Sequence, residues 1–220
     1  MGPLMANGSK SKKTIVYENL KRRIIHHSIK PGEPLNAGVL SRELKISKTP
    51  IREAMQQLEK EEFVENIPGR GSFVSRISVQ DIREIYEIRE ILECEVIRRV
   101  ASRGDVNRIE AETIGKRFES CETGENRTPR SYFKAGDQIH TFIFEAYGNR
   151  RLLAFYKRLQ EHIERMRLYF FGRVNQERSE QSYREHLEIL NAVIAQDPER
   201  AERAMRTHLR NAFEYQKETI

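Results

Sequence analysis

Lys48, Thr49, Arg52 and Gln56 are spaced in a way that chemistry can use. Ile51, Met55 and Leu58 recur at i, i+4 and i+7, one stripe of a helical period, which leaves the four polar side chains on the opposite face. Lysine and arginine reach phosphates, and arginine, glutamine and threonine hydrogen-bond base edges in a major groove. Downstream, Phe63-Val64 and Phe73-Val74 flank a Gly-bracketed arginine, Gly69-Arg70-Gly71. Two short strands joined there would form a wing, with Arg70 at a tip able to enter a minor groove. The chemistry implied is recognition of duplex DNA.

Three histidines form a second candidate set. His140 follows Phe133 by seven residues and precedes Ile143-Phe144; His186 precedes Ile189-Leu190 and Val193; His208 lies among Ala201, Ala204 and Ala212. Each falls on the apolar side of a different helical pattern. Bundle cores are where facing helices assemble metal sites. Three imidazoles and a carboxylate suit a divalent transition metal such as zinc or nickel, with a position left open. Asp137, three residues before His140, faces the same way. The alternative is three ordinary core histidines, because His162, with Phe155, Leu159 and Met166 on its side, also points inward.

The elements that must hold these groups can be read from caps and breakers. Ile15 to Ile29 is a helix closed by Pro31-Gly32, and Leu40 to Ile46 is a short helix and turn. Ser47 then stands at an N-cap position, with Pro50 in the next helix's first turn. Ser78 caps another helix after the junction Arg76-Ile77-Ser78. From there six helices are expected, over about 79–103, 106–122, 131–147, 150–171, 177–195 and 198–217. The predicted fold is mostly α: a winged helix-turn-helix over 13–76, then an antiparallel six- or seven-helix bundle over 77–220. Residues 1–12 read as a disordered arm or expression remnant, with Met5 as the native start.

Charge is segregated along the chain. Residues 1–76 hold 14 Lys and Arg against 8 Asp and Glu, whereas residues 77–220 hold 25 of each. The whole +6 excess therefore lies beside the candidate DNA-reading face. No apolar run is long enough for a membrane span and no signal-peptide pattern opens the chain, which predicts a cytoplasmic protein. Cys94 and Cys121 are far apart with no C-x-x-C, as expected of buried thiols in a reducing compartment. There is no H-E-x-x-H, nucleophile elbow, P-loop or dinucleotide fingerprint, so an enzyme is not expected. Two alternatives remain: a metal-dependent enzyme with an appended DNA-binding domain, and a ligand-independent architectural DNA-binding protein.

Ser47-Lys48-Thr49-Pro50-Ile51-Arg52-Glu53-Ala54-Met55, followed by Gly69-Arg70-Gly71-Ser72-Phe73-Val74, resembles the GntR family of bacterial transcription regulators. That family typically has S-R-T-P-V-R-E-A-L and then G-R-G-T-F-V. Lys48 replaces the usual arginine, so a bidentate guanine contact becomes a single-point one. Gly38 replaces an arginine that contacts DNA in many members. Ile85-x-x-Ile88-Arg89-x-x-Leu92-Glu93, His140 nine residues before Asn149, and Ala201-x-x-Ala204-Met205-x-x-His208-Leu209 resemble the all-helical FCD effector domain of one GntR subfamily.

The resemblance implies a ligand-responsive transcription regulator, a repressor, acting as a homodimer on a double-stranded operator. Many FCD domains bind metal through an Asp and three His. The Asp usually stands four residues before the first His, and here that position is Gly136; either Asp137 substitutes or the site is incomplete. Members commonly sense organic acids, and a carboxylate could chelate the metal while pairing with Arg89, Arg165 or Arg167. Against this, Arg89 stands between Glu87, Glu90 and Glu93, where simple helix-surface pairs are equally expected.

Overall fold

The stripe of Ile51, Ala54, Met55 and Leu58 is buried along one side of a helix, and the N-terminal unit is built around it. The structure is a computed structural model describing residues 11–104, 110–116, 129–170 and 175–218. The expected arm before residue 11, Cys121 and both ends of the helix expected over 106–122 lie outside the described residues. The chain divides into two compact units, Met1–Ile77 and Ser78–Ile220.

In the first unit α1 is Lys12–Ile25, β1 Pro34–Leu35, α2 Ala37–Leu44, α3 Lys48–Lys60, β2 Val64–Ile67 and β3 Gly71–Val74. Val16, Leu20 and Ile24 of α1 are fully buried and pack on α3. α2 starts earlier than its apolar pattern suggests because Asn36 caps it, accepting from the N–H groups of Gly38 and Val39. It stops where Lys45 turns left-handed (φ 53°). Ser47 does hold the N-cap position of α3, but its hydroxyl makes no capping hydrogen bond. The sheet has three antiparallel strands in the order β1-β3-β2, so the expected pair gains a short third strand. Val64 pairs with Val74 and Ile67 with Gly71. Between them Gly69 and Gly71 adopt φ of +75° and +100°, where a Cβ is strained, and this forms the wing turn.

In the second unit α4 is Val79–Arg103, α5 spans 110–116, α6 is Pro129–Tyr147, α7 Arg150–Phe170, α8 Gln176–Ile194 and α9 Pro198–Glu218. Ser78 and Asp81 close a reciprocal capping box at the head of α4. α4 packs along α9 and α6, and α8 along both α6 and α9. Ile97, Ile139, Phe144, Tyr156, Ile189 and Met205 fill the core, with Phe144 and Tyr156 stacked at 3.9 Å between ring centres. Cys94 is a buried free thiol, pushed up to about 12 by burial. Among the described residues no helix is long and apolar enough to cross a membrane. Within this apolar interior Arg89, Glu93, His140, His186 and His208 are also buried, and such groups must be hydrogen-bonded, paired or coordinated.

Candidate functional site

His140 on α6, His186 on α8 and His208 on α9 converge, and their ligand nitrogens lie within 4.8 Å of one another. Each ring is held from outside through Nδ1. The acceptors are Glu93 Oε2 at 2.5 Å for His140, the Ser182 carbonyl at 2.7 Å for His186 and Glu185 Oε2 at 2.8 Å for His208. On neutral rings these acceptors place the proton on each Nδ1, which leaves an unprotonated Nε2 facing inward. The Nε2 atoms of His140 and His186 are 3.3 Å apart, and the buried Nε2 of His208 has no hydrogen-bond partner among the described residues. Bare lone pairs at that distance repel. A tetrahedral ion with bonds of about 2.1 Å wants its donors about 3.4 Å apart. The residues present therefore fit a divalent transition metal, and they form a triad that could hold one.

The electrostatics disfavour charge on two of the three rings. Burial, followed by the neighbouring imidazoles for His186 and by His140 and nearby arginines for His208, pushes both rings well below the usual imidazole range. Burial alone would raise the Glu93 carboxyl, but Arg89 and His140 beside it prevail and hold it well below the usual carboxylate range. Arg89 Nε donates to Glu93 at 2.7 Å, and the Tyr156 hydroxyl donates to the same oxygen at 3.3 Å. Glu185 also accepts from Arg178 at 3.2 Å and from Asn211 at 2.7 Å. Two of the three histidines are thus backed by a carboxylate that is itself anchored by arginine.

Asp137 lies apart from this group. Its carboxylate pairs with Arg167 on α7. At about 100° per residue, position 137 projects about 60° to one side of His140, whereas position 136 projects about 40° to the other. The side facing α8 is therefore occupied by Gly136, which is buried. Arg89 is fully buried, not paired on a helix surface as its acidic neighbours suggested, and its Nη1 and Nη2 find no hydrogen-bond partner among the described residues. Arg165 is buried too, its guanidinium pushed down to about 10 by burial, with Asp81 of α4 as its acidic neighbour. It does not line the small cavity of about 50 Å³ beside the triad, whose walls include His186, His208, Arg167, Arg178, Tyr86 and Gln216. Arg178, Glu185 and Gln216 escaped the reading of the sequence. In sequence they look like the polar side of a helix, and only tertiary packing buries Arg178 and Gln216 and half-buries Glu185. His162 is half-buried, at the edge of the core.

In the first unit Lys48, Thr49, Arg52 and Gln56 are all exposed along α3, on the face away from its buried stripe. Gly69, Arg70 and Gly71 are exposed at the wing turn, with the Arg70 guanidinium 5.7 Å from the Phe73 ring centre. Residues 12–74 match the model of the bacterial regulatory proteins of the gntR family, and residues 84–211 match the FCD domain. The chain belongs to the GntR family and carries an FCD domain. It is a DNA-binding transcription regulator and not an enzyme.

This GntR regulator is 29% identical over 202 residues to the HTH-type transcriptional repressor RspR of Escherichia coli K12, covering 90% of this chain and 86% of that one. It is 28% identical over 200 residues to the repressor GlaR of the same strain, covering 88% and 90%. Among solved structures, E. coli McbR/YncC aligns with a TM-score of 0.72 at 18% identity, covering 96% of this chain and 99% of that one. A GntR regulator from Rhodococcus sp. RHA1 aligns at 0.73 and 21%, covering 95% and 99%. These two likenesses show the same fold.

Proposed function

We propose that this protein is a cytoplasmic repressor that binds its operator as a homodimer and responds to a small organic acid bound at a metal in the helical unit. The observation that carries the reading is the inward convergence of three Nε2 atoms whose Nδ1 partners are already fixed. His140, His186 and His208 would hold a divalent transition metal, zinc or nickel, which when bound would supply a Lewis-acidic centre for an oxygen ligand. The two unpartnered amino groups of Arg89 add a fork suited to a carboxylate. Arg167 and Arg178 add positive charge to the neighbouring cavity. Asp137, engaged by Arg167, is left out of the ligand set.

Lys48, Thr49, Arg52 and Gln56 would read the major groove, with Gly69, Arg70 and Gly71 placing the wing on the neighbouring minor groove. One such helix reads only a few base pairs, so specific affinity calls for a second copy and a two-fold operator. The relatives named as repressors favour that sign of regulation. An effector changes DNA affinity only by favouring one arrangement of the dimer over another. α4 follows directly on the Arg76-Ile77-Ser78 junction and carries Arg89 and Glu93, so it is the segment placed to transmit that bias.

The test is a panel of small carboxylates screened by thermal shift on zinc-loaded and on chelator-treated protein, then on operator affinity. Ligands that bind the folded state raise its melting temperature. The reading expects carboxylates that act only on the loaded protein and also shift operator affinity. Carboxylates that bind equally well without metal, or that leave operator affinity unchanged, would contradict it.

A further inference from the structure

Gly136 stands one turn before His140 on α6 and meets the triad backbone-first. A first side-chain carbon built at this position would lie 2.8 Å from both Cε1 and Nε2 of His186. That is inside van der Waals contact, so any other residue must displace the ring. The ring cannot retreat without cost, because Nδ1 is bound to the Ser182 carbonyl at 2.7 Å. Retreat would also pull Nε2 away from its 3.3 Å approach to His140. Nε2 is the atom that an ion shared by the three histidines would use. A side chain at 136 would therefore project into the coordination shell itself, while the neighbouring carboxylate of Asp137 is taken by Arg167.

We propose that Gly136 is the specificity-determining residue of the metal centre. With no side chain, it keeps the coordination position beside His186 clear of protein and leaves it to an oxygen of an anion from outside the chain. The inference rests on the reading of the triad as a metal centre. Three imidazoles are neutral ligands, so the bound ion keeps its full double positive charge and favours an anion over water alone. Ion and carboxylate then strengthen each other's binding, by equal factors in each direction.

The experiment uses the full chain, stripped of metal, with zinc and cobalt(II) as probes and acetate as the anion. Zinc affinity is measured by competition with a chromophoric chelator, and cobalt coordination by its visible absorption bands. Gly136→Ala should keep its helix content, since alanine favours helix over glycine, yet weaken zinc binding by about tenfold or more. Gly136→Asp displaces the ring through the same first carbon but adds a carboxylate that can itself take the position, so it should bind zinc more tightly than Gly136→Ala does. Acetate should shift the cobalt bands of the natural protein and leave those of Gly136→Asp unchanged. Unaltered zinc affinity in Gly136→Ala, equal weakening in both variants, or cobalt bands of the natural protein that acetate does not move would each overturn the role of Gly136. Failure of the underlying reading looks different: the natural chain takes up no metal, or His208→Ala takes it up just as well.

Discussion

At the scale of single residues, the two units use charge in different ways. Lys48 and Arg52 are exposed on α3 and free to meet DNA, so Lys48→Ala and Arg52→Ala should each weaken operator binding by about 1–3 kcal/mol while leaving the fold intact. Titrations of a labelled operator duplex by fluorescence anisotropy would measure this, and unchanged affinity in both variants would refute the recognition face. Glu61, by contrast, works inside the winged unit, accepting from the Tyr17 hydroxyl at 2.7 Å and from Lys21 Nζ at 2.9 Å. Burial opposes ionisation of this carboxyl, but these donors prevail and lower it. Because the folded value lies below the unfolded one, the stabilisation is present above about pH 4.3 and fades as pH falls through the folded value. Glu61→Gln should therefore be less stable to urea than the natural chain at neutral pH, by about 1–3 kcal/mol, and should converge with it as the carboxyl protonates in acid. A gap that persists in acid would assign the loss to packing. The histidines were legible as inward-facing groups because apolar neighbours flank them at helical spacing. Asp137 was not, since three residues and four residues before His140 look alike in a sequence and point to opposite neighbours in the bundle.

At the scale of elements, caps and stripes carried most of the readable information. Ser78 and Asp81 announce α4 by their spacing, and the structure closes them into a reciprocal box. Ser78→Ala should cost about 1 kcal/mol and reduce amide-exchange protection in the first turn of α4. Full protection of Val79 to Ile82 in that variant would show that packing, not the cap, defines this end. The wing was legible because Gly69 and Gly71 need positive φ, whereas β1 was not: Pro34–Leu35 has no alternating pattern and forms only by pairing with β3. Glu93 and Glu185 were equally hidden. Acidic residues at helical spacing from arginine usually mark a solvated face, and the burial of Glu93 beside His140 and half-burial of Glu185 beside His208 follow only from how α4, α6, α8 and α9 pack.

At the scale of the whole molecule, a basic reading unit is joined to a charge-balanced bundle with polar groups at its centre. The +6 excess of the first 76 residues should make operator affinity fall steeply with salt, linearly on logarithmic axes. Binding that ignores ionic strength would be inconsistent with phosphate contacts from Lys48 and Arg70. The central claim is that the convergent histidines hold a metal through which an effector is sensed. Its most direct test is elemental analysis of protein purified without chelator, with His208→Ala prepared in parallel. The account predicts about one equivalent of a divalent transition metal per natural chain and a small fraction of that in the variant. Less than about a tenth of an equivalent in the natural chain, with none taken up on titration, would contradict it and return His140, His186 and His208 to the core as structural residues.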